Sequence, residues 1–430
     1  MDAARAVGVA LSRVLDAAED ASPVQAVEAV TRELSAALNA SVVSFLIADL
    51  SGRGLVRLAQ IKMSEGIATL PPGQGNDWRD NDEATELVPF DGGPAEEALR
   101  TQTLQVVKGG APEQWTVLAP VTERGESLGL LEMCVPVEPT EQVIEDITRI
   151  AHVLGFVVIA NRRHTDLFEW GQRSTRFTLP AEIQRRLLPA AFTCEAGAFT
   201  LSAWLEPAAN VGGDTFDYSV SPEVLHLSVT DAMGHGVASA LTATLCVGSL
   251  RNTRRQGATL LEQAAAASTA LADHAQSLAA DAFATGLLGR LDLRTGLLQL
   301  VNAGHVLPFL ARGGVVTRVD LPACLPFGIF ADGVYESTDV QLQPGDRLVI
   351  VTDGMLERNA AAIDMAVEIY ETRSLHPREA TRRLADHVLE ATGHALADDA
   401  TLLVIDWHGH HGRDRETVAG ADAQSAAATP

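Results

Sequence analysis

Apolar positions in the first third of the chain recur at helical spacing over Ala4 to Ala18 and again over Pro23 to Leu38. Ser22 and Pro23 stand where an N-cap and a first helical residue belong. Alternation then takes over. Ser41 to Leu50 (SVVSFLIADL) predicts a strand, Ser51-Gly-Arg-Gly54 its turn, and Leu55 to Ile61 a returning strand. Residues 71–93, rich in Gly, Pro, Asp and Asn, read as a long loop or ligand lid. Gln114 to Thr122 and Ser127 to Val135 flank Glu123-Arg-Gly-Glu126 as strand, turn and strand. From Glu141 the chain is helical, and Ile144, Ile147, Ala151, Leu154 and Val158 make a short coiled-coil seam. That seam has two readings: the closing helix of the first domain, or a signalling helix that pairs two protomers. The repeat lapses at Asn161, and Leu167, Phe168 and Trp170 start a new apolar cluster.

Beyond Ala198 the pattern changes. Strands are predicted at 199–205, 224–229, 285–291, 298–302, 315–320, 346–351 and 400–405, and helices at 237–251, 258–280 and 377–389. Many strands with a few long helices in separate blocks point to a layered α+β domain. The expected organisation is a first domain over 1–165, a helical linker over 166–190, a second domain over 191–408 and a disordered tail over 409–430 without apolar periodicity.

Composition narrows the classes. With 430 residues and 47% hydrophobic content the chain can bury more than one core. A net charge of −24 argues against nucleic acid or an anionic membrane as the main partner. Cys134, Cys194, Cys246 and Cys324 are scattered, with no C-x-x-C pair, which speaks against a disulfide scaffold or a thiolate zinc site and fits a reducing cytoplasm. The first residues lack the basic-then-apolar order of a secretion signal, and the longest later apolar run, Val153 to Ala160, is too short to span a bilayer. A cytoplasmic location is expected. Neither Lys62 nor Lys108, the two lysines, follows a glycine, so there is no phosphate-binding P-loop.

The candidate chemistry lies in four carboxylate positions beside strands and small residues. Asp214 stands in Gly212-Gly-Asp-Thr-Phe-Asp217, shortly after a strand. Asp231 ends the run VLHLSVT and opens Asp-Ala-Met-Gly-His-Gly236, with a helix following at once. Asp353 ends the strand before Gly354, and Asp398-Asp399 precede the strand at 401–405. Singly, each reads as a solvated or capping side chain. Together they can supply the oxygen-rich, partly hydrated surroundings that hard divalent cations such as Mg(II) and Mn(II) take.

Gly-Gly-Asp…Phe-Asp217, Asp231-x-x-Gly-His-Gly, Asn302-Ala-Gly-His305, Leu325-Pro-x-Gly328, Pro344-Gly-Asp-Arg-Leu, Thr352-Asp-Gly-x-x-Glu357 and Asp398-Asp-Ala-Thr401 follow one another in an order that resembles SpoIIE-type phosphatases. These are bacterial members of the metal-dependent PPM protein phosphatase superfamily, and the likeness spans about Phe177 to Trp407. The first domain resembles a GAF sensor domain, and Ile183-Gln-x-x-Leu-Leu-Pro189 matches the linker usual in stress-response phosphatases of this kind. The resemblance implies an α/β/β/α sandwich with two Mn(II) or Mg(II) ions between its sheets. Asp231 would bridge both ions and the Ala232 backbone carbonyl would be a further ligand. Asp353 and Asp398 would hold one ion, with Asp399 competing for the place of Asp398, and Asp214 would serve the other side. Water activated at the metals would attack phosphorus without a covalent phosphoenzyme.

Where eukaryotic relatives carry a His two positions after the bridging Asp, this chain has Met233. His235 is therefore either orienting or an acid catalyst. Asn302 and His305 are candidate substrate contacts, His305 being equally readable as a satisfied core histidine. Glu357 belongs either to a regulatory switch or to a helix start favoured by the dipole. The resemblance implies a protein serine/threonine phosphatase acting on a phosphorylated anti-anti-sigma (STAS) protein, switched by an unknown signal at the first domain and dimeric through the helical seam. The competing reading is a catalytically silent module that keeps the fold and binds a phosphoprotein. A dinucleotide site at Gly234-His-Gly236 is disfavoured, because Ser239 replaces the third glycine and no acidic ribose-binding position follows.

Overall fold

The helical stripes of the first third close over one face of a sheet. The computed structural model describes residues 2–49, 54–62, 68–69, 87–109, 114–172, 178–206, 213–278, 281–356, 364–393, 396 and 398–410. Its contacts divide the chain into two units, Met1–Arg176 and Phe177–Asp414. The first contains α1 (Asp2–Asp20), α2 (Ala26–Leu38), β1 (Val42–Ala48), β2 (Gly54–Lys62), β3 (Ala68–Thr69), β4 (Leu87–Pro89) and α3 (Pro94–Thr101). It continues with β5 (Gln105–Lys108), β6 (Trp115–Glu123), β7 (Glu126–Val135), α4 (Glu141–Asn161) and α5 (Leu167–Gly171). The strands form an antiparallel sheet in the order β3-β2-β1-β7-β6-β5, with β4 also on β2.

Alternation in β1 decides which side chain goes where. Val43, Phe45 and Ile47 face the core shared with α1, α2 and α4, whereas Leu46 joins Leu99 and Leu118 in a smaller cluster that includes α3. Gly129 of β7 has to be glycine, since a Cβ there would lie 2.2 Å from the Leu46 carbonyl oxygen. Two sequence expectations are adjusted. The second helix begins one turn later than Pro23, because residues 23–25 form a turn closed by Gln25 N–H donating to the Ser22 carbonyl. The seam residues Ile147, Ala151, Leu154 and Val158 of α4 are buried in this unit's own core, as the closing-helix reading requires, so that stripe is not a free surface for pairing protomers. Most of the loop expected at 71–93 and all of the tail after 410 fall outside the described residues; the loop's last part carries β4 and leads into α3.

The second unit begins with α6 (Leu179–Leu187), β8 (Thr193–Glu195), β9 (Phe199–Glu206), β10 (Asp214–Val220), β11 (Val224–Ala232), α7 (Gly236–Arg255) and α8 (Leu260–Leu278). Then come β12 (Ala284–Asp292), β13 (Leu297–Ala303), β14 (Phe309–Arg312), β15 (Val315–Arg318), β16 (Ser337–Gln341), β17 (Arg347–Val351), α9 (Met365–Glu371), α10 (Pro377–Ala391) and β18 (Ala400–Trp407). Two antiparallel sheets result, β10-β11-β12-β13-β16 and β15-β14-β17-β18-β9-β8. Phe216, Leu227, Leu287 and Leu300 of one sheet meet Leu201, Leu348, Ile350 and Leu403 of the other in the central core. Helices α7 and α8 cover the first sheet through Cys246, Leu250, Ala264 and Leu271, and α9 and α10 cover the second through Ile369, Leu384 and Val388. This is the four-layer α/β/β/α sandwich the resemblance implied. Asp214 lies shortly after β9, as expected, and also opens the strand β10, which the motif-rich segment 212–217 concealed.

One buried cation fixes the outer layer of the second sheet. Arg347 is 4% exposed and donates to both carboxylate oxygens of Asp406, at 2.6 and 2.8 Å, and to the carbonyls of Thr372 and Leu375 just past α9. Replacing it by Met strands a half-buried carboxylate and two carbonyls. Arg347→Met is expected to destabilise the second unit by about 3–5 kcal/mol, read from urea unfolding of the full chain followed by the fluorescence of Trp204 and Trp407. A change under about 1 kcal/mol, the size of a surface pair, would contradict this account.

Candidate metal centre between the two sheets

The register of β10 on β11 sets Asp214 directly opposite Asp231. Phe216 on β10 and Val229 on β11 belong to the inter-sheet core, so the period of two turns both aspartates toward the facing sheet. From that sheet, Thr352 and Thr401 each donate a hydroxyl to Asp214 Oδ2 at 2.7 Å. The two threonines are themselves joined, Thr401 N–H donating to Thr352 Oγ1 at 2.9 Å. Asp353 follows Thr352 in a single 3-10 turn (Asp353–Met355), and Asp398 and Asp399 immediately precede β18. Gly354 permits this approach, since a Cβ on it would lie 2.0 Å from the Asp399 carbonyl oxygen.

Gln184 of α6 reaches the same place. It is 3% exposed, and its Nε2 donates to Asp399 Oδ2 at 2.6 Å and to the Asp214 carbonyl at 2.8 Å. Asp399 N–H in turn donates to Asp398 Oδ1 at 2.8 Å. The Ala232 carbonyl accepts from Ser239 Oγ at 3.0 Å, and Gly213 leaves room for both groups: a Cβ there would lie 2.4 Å from each oxygen.

Crowding raises the proton affinity of these carboxyls. Asp214 is pushed well above the usual carboxylate range by burial and then by Asp231 and Asp399, although its two threonine hydroxyls act the other way. Asp231 is raised to about 7, first by burial and then by Asp353, Asp398 and Asp399. Asp353 is raised by burial and by Asp398. Among the described residues no group of three acidic, His or Cys side chains is already drawn together tightly enough to hold an ion. The donor set nevertheless suits a hard divalent cation: carboxylate oxygens from both sheets, a backbone carbonyl, and an excess of negative charge that no arginine or lysine among the described residues offsets at these carboxyls. Asp214 and Asp399 are oriented by neutral side-chain donors, and the repulsion that raises Asp214, Asp231 and Asp353 is what a cation would relieve.

The other candidates divide. His235 is exposed at the N-cap of α7, three residues past the end of the Asp231–Ala232 pair, without a capping bond from its own side chain. Asn302 is committed to a turn: Oδ1 accepts from His305 N–H at 2.7 Å and Nδ2 donates to the His305 carbonyl at 3.0 Å. It shapes the chain rather than facing a substrate. The His305 imidazole is buried with Nδ1 3.0 Å from Thr285 Oγ1, the residue paired with Asp231 across β11 and β12. Burial lowers its pKa to about 4, with the Val351 backbone acting the other way, so it is neutral at pH 7 and is no fixed positive charge for a phosphate. Glu357 lies outside the described residues. Gln184, Thr352 and Thr401 join the site without being acidic or metal-binding residue types; their one sequence signal is that each stands inside a family-like motif, Ile183-Gln, Thr352-Asp-Gly and Asp-Asp-Ala-Thr401.

Residues 221–408 match the family described as Stage II sporulation protein E (SpoIIE). The matched segment lies within the second unit, which is thus similar to the SpoIIE-type PPM phosphatase domain. The matched segment holds Asp231, Asp353, Asp398 and Asp399 but starts beyond Gln184 and Asp214. Phosphoserine phosphatase RsbU of Bacillus subtilis is 25% identical over 236 residues, which cover 53% of this chain and 68% of RsbU. Phosphoserine phosphatase RsbP of the same organism is 22% identical over 218 residues, 48% of this chain and 52% of RsbP. Among solved structures, the SiaA-PP2C domain of Pseudomonas aeruginosa superposes with a TM-score of 0.45 at 23% identity, covering 53% of this chain and 93% of that domain.

The raised carboxyls carry a stability consequence. A carboxyl whose folded pKa exceeds its unfolded value holds its proton more firmly in the native state; that contribution is full below the unfolded value and is lost as pH rises through the folded one. For Asp231 the window runs from 3.8 to about 7. The metal-free chain should therefore melt at a lower temperature at pH 8 than at pH 5.5. Asp231→Asn should flatten that slope and raise the melting temperature at pH 8 by about 2–8 °C, the equivalent of about 1–2 kcal/mol. Equal slopes in calorimetric scans of the two proteins would remove the repulsion account.

Proposed function

We propose that the chain is a metal-dependent protein serine/threonine phosphatase that hydrolyses phosphoserine and phosphothreonine. The observation that carries this reading is the convergence of Asp214 and Asp231 from one sheet with Asp353, Asp398 and Asp399 from the other, beside a backbone carbonyl and with no opposing cation among the described residues. The match of residues 221–408 to the SpoIIE family supports it, as do the phosphoserine phosphatase names of the RsbU and RsbP relatives.

On this reading Asp231, with the Ala232 carbonyl, Asp353 and Asp398 hold Mn(II) or Mg(II), two ions per site, and Asp214 orients solvent on the side of β10. When bound, the ions supply neutralising charge for an approaching phosphate and acidify water for in-line attack. The chain's own part is to fix the carboxylates. Thr352 and Thr401 hold Asp214 by its Oδ2, and Gln184 holds Asp399. On this reading His235, exposed at the start of α7, would meet a substrate at the rim rather than a ligand in the interior.

The substrate we propose is a small phosphorylated anti-anti-sigma (STAS) protein, as in partner-switching stress signalling, with the first unit acting as a GAF-like sensor. Input would pass through the residues around α6 to Gln184 and so to Asp399. If removal of residues 1–170 left activity unchanged under every condition tried, the sensor role would be abandoned.

The decisive measurement is hydrolysis of an aryl phosphate and of a phosphorylated STAS protein by the full chain. Turnover is expected with Mn(II), none with excess chelator, and background rates for Asp231→Asn and Asp353→Asn. Binding of the phosphoprotein without turnover at any Mn(II) concentration would instead favour the silent binding module.

A further inference from the structure

On the face of the first sheet that lies toward α7, one row of side chains crosses all five strands and is polar throughout. The registers align Ser219 on β10, His226 on β11, Arg290 on β12, Gln299 on β13 and Asp339 on β16. The residues flanking this row on the same strands, Leu225, Leu227, Leu291, Leu298 and Leu300, turn the opposite way into the inter-sheet core. The row lies five residues along β11 from Asp231, about 16 Å at the rise of an extended strand. It is thus separate from the carboxylate centre and on the other face of the sheet.

Charge around His226 is unbalanced. Asp217, 4% exposed and on the same face of β10, is shared by two guanidinium groups of α7: Arg251 donates to both its oxygens at 2.8 and 3.1 Å, and Arg254 donates at 2.9 Å. Arg290, the cross-strand neighbour of His226, has no ion-pair partner among the described residues. Gln299 intervenes between it and Asp339, the acidic residue of the row, and the Gln299 amide is engaged with Ser337. Three arginines therefore face one buried carboxylate, in a chain whose net charge is −24. Two positive charges remain, in a place where simple excess of base cannot explain them. The imidazole between them is equally incomplete. His226 Nδ1 is buried without a hydrogen-bond partner, and both Arg254 and Arg290 act on the ring electrostatically.

An anion is the group that would complete all three. Arginine forks match the oxygens of phosphate or carboxylate, and neutral histidine can carry its proton on Nδ1 and donate it. Two uncompensated charges match a dianion better than a monoanion. We propose that His226, Arg254 and Arg290 form a binding site for a phosphate-class dianion, either free phosphate or a phosphomonoester on a small organic carrier. This site is independent of the phosphatase reading, since none of its residues belongs to the carboxylate centre.

The test is imidazole NMR on the full chain labelled at histidine, with the His226 resonance assigned by its loss in His226→Gln. Inorganic phosphate and AMP are added separately at pH 7 and constant ionic strength, without divalent metal. A saturable His226 shift is expected, weakened about tenfold or more in Arg290→Met and less in Arg290→Lys, which keeps the charge should the Met variant fold poorly. The shift should persist in Asp231→Asn. A response to phosphate assigns the free ion, and a response to AMP alone assigns the ester. The proposal is overturned if neither probe moves His226 at millimolar concentration, or if the shift survives Arg290→Met and vanishes in Asp231→Asn.

Discussion

The buried carboxylate of Asp214, held by hydroxyls of the facing sheet, is the interaction on which the centre of the second unit depends. A carboxylate 2% exposed is costly unless hydrogen-bonded. Here the bonds come from Thr352 and Thr401, so the same contacts that satisfy the charge also pin the ends of β17 and β18 against β10. Asp231, Asp353 and Asp398 are then brought near, and the mutual repulsion that raises Asp231 and Asp353 is not offset by the donors around them. Stability is given up locally for a function that a better-neutralised core would not allow.

Much of the sandwich was legible because its strands are short apolar runs bounded by small and acidic residues. VLHLSVT before Asp231 and LVIV before Asp353 each mark a strand and the carboxylate that follows the run, although LVIV, buried at every position, does not tell one face from the other. Asp214 was legible as a site residue but not as the start of a strand, because two glycines and the dense motif before Asp217 read as a turn. What periodicity cannot supply is partnership across the chain. Gln184 and Asp399 are separated by 215 positions, and nothing local to either announces the other. Asn302 shows the converse: its motif suggested a ligand contact, whereas both ends of its amide are needed to close a turn onto His305. The stripe in α4 was ambiguous for a physical reason as well, since the same three-and-four spacing serves a coiled coil and a helix laid on a sheet.

Helix α6 occupies an unusual position among these contacts. Near its middle Gln184 engages the carboxylate centre, and at its last residue the Leu187 carbonyl accepts from Arg251 at 2.5 Å. Arg251 is also bound to Asp217, so the helix is tied to strand β10 and to the far end of α7 as well as to the entry of β18. A displacement of this short helix would break a bond to a candidate ligand and one to the helix that follows Asp231 together, which gives a nine-residue segment leverage over both sheets.

The segment recognised as the SpoIIE family starts at residue 221, yet the sheets do not. An excised fragment beginning there would lack β8, β9 and β10: an edge strand of the first sheet would be gone, and β18 would expose a hydrogen-bonding edge along all eight pairs it now makes with β9. The exposed flank is long and apolar, the form of edge that invites pairing with a neighbouring molecule. The segment matched by sequence and the folded unit thus have different beginnings, and the difference of some forty residues is the stretch that contains Gln184 and Asp214.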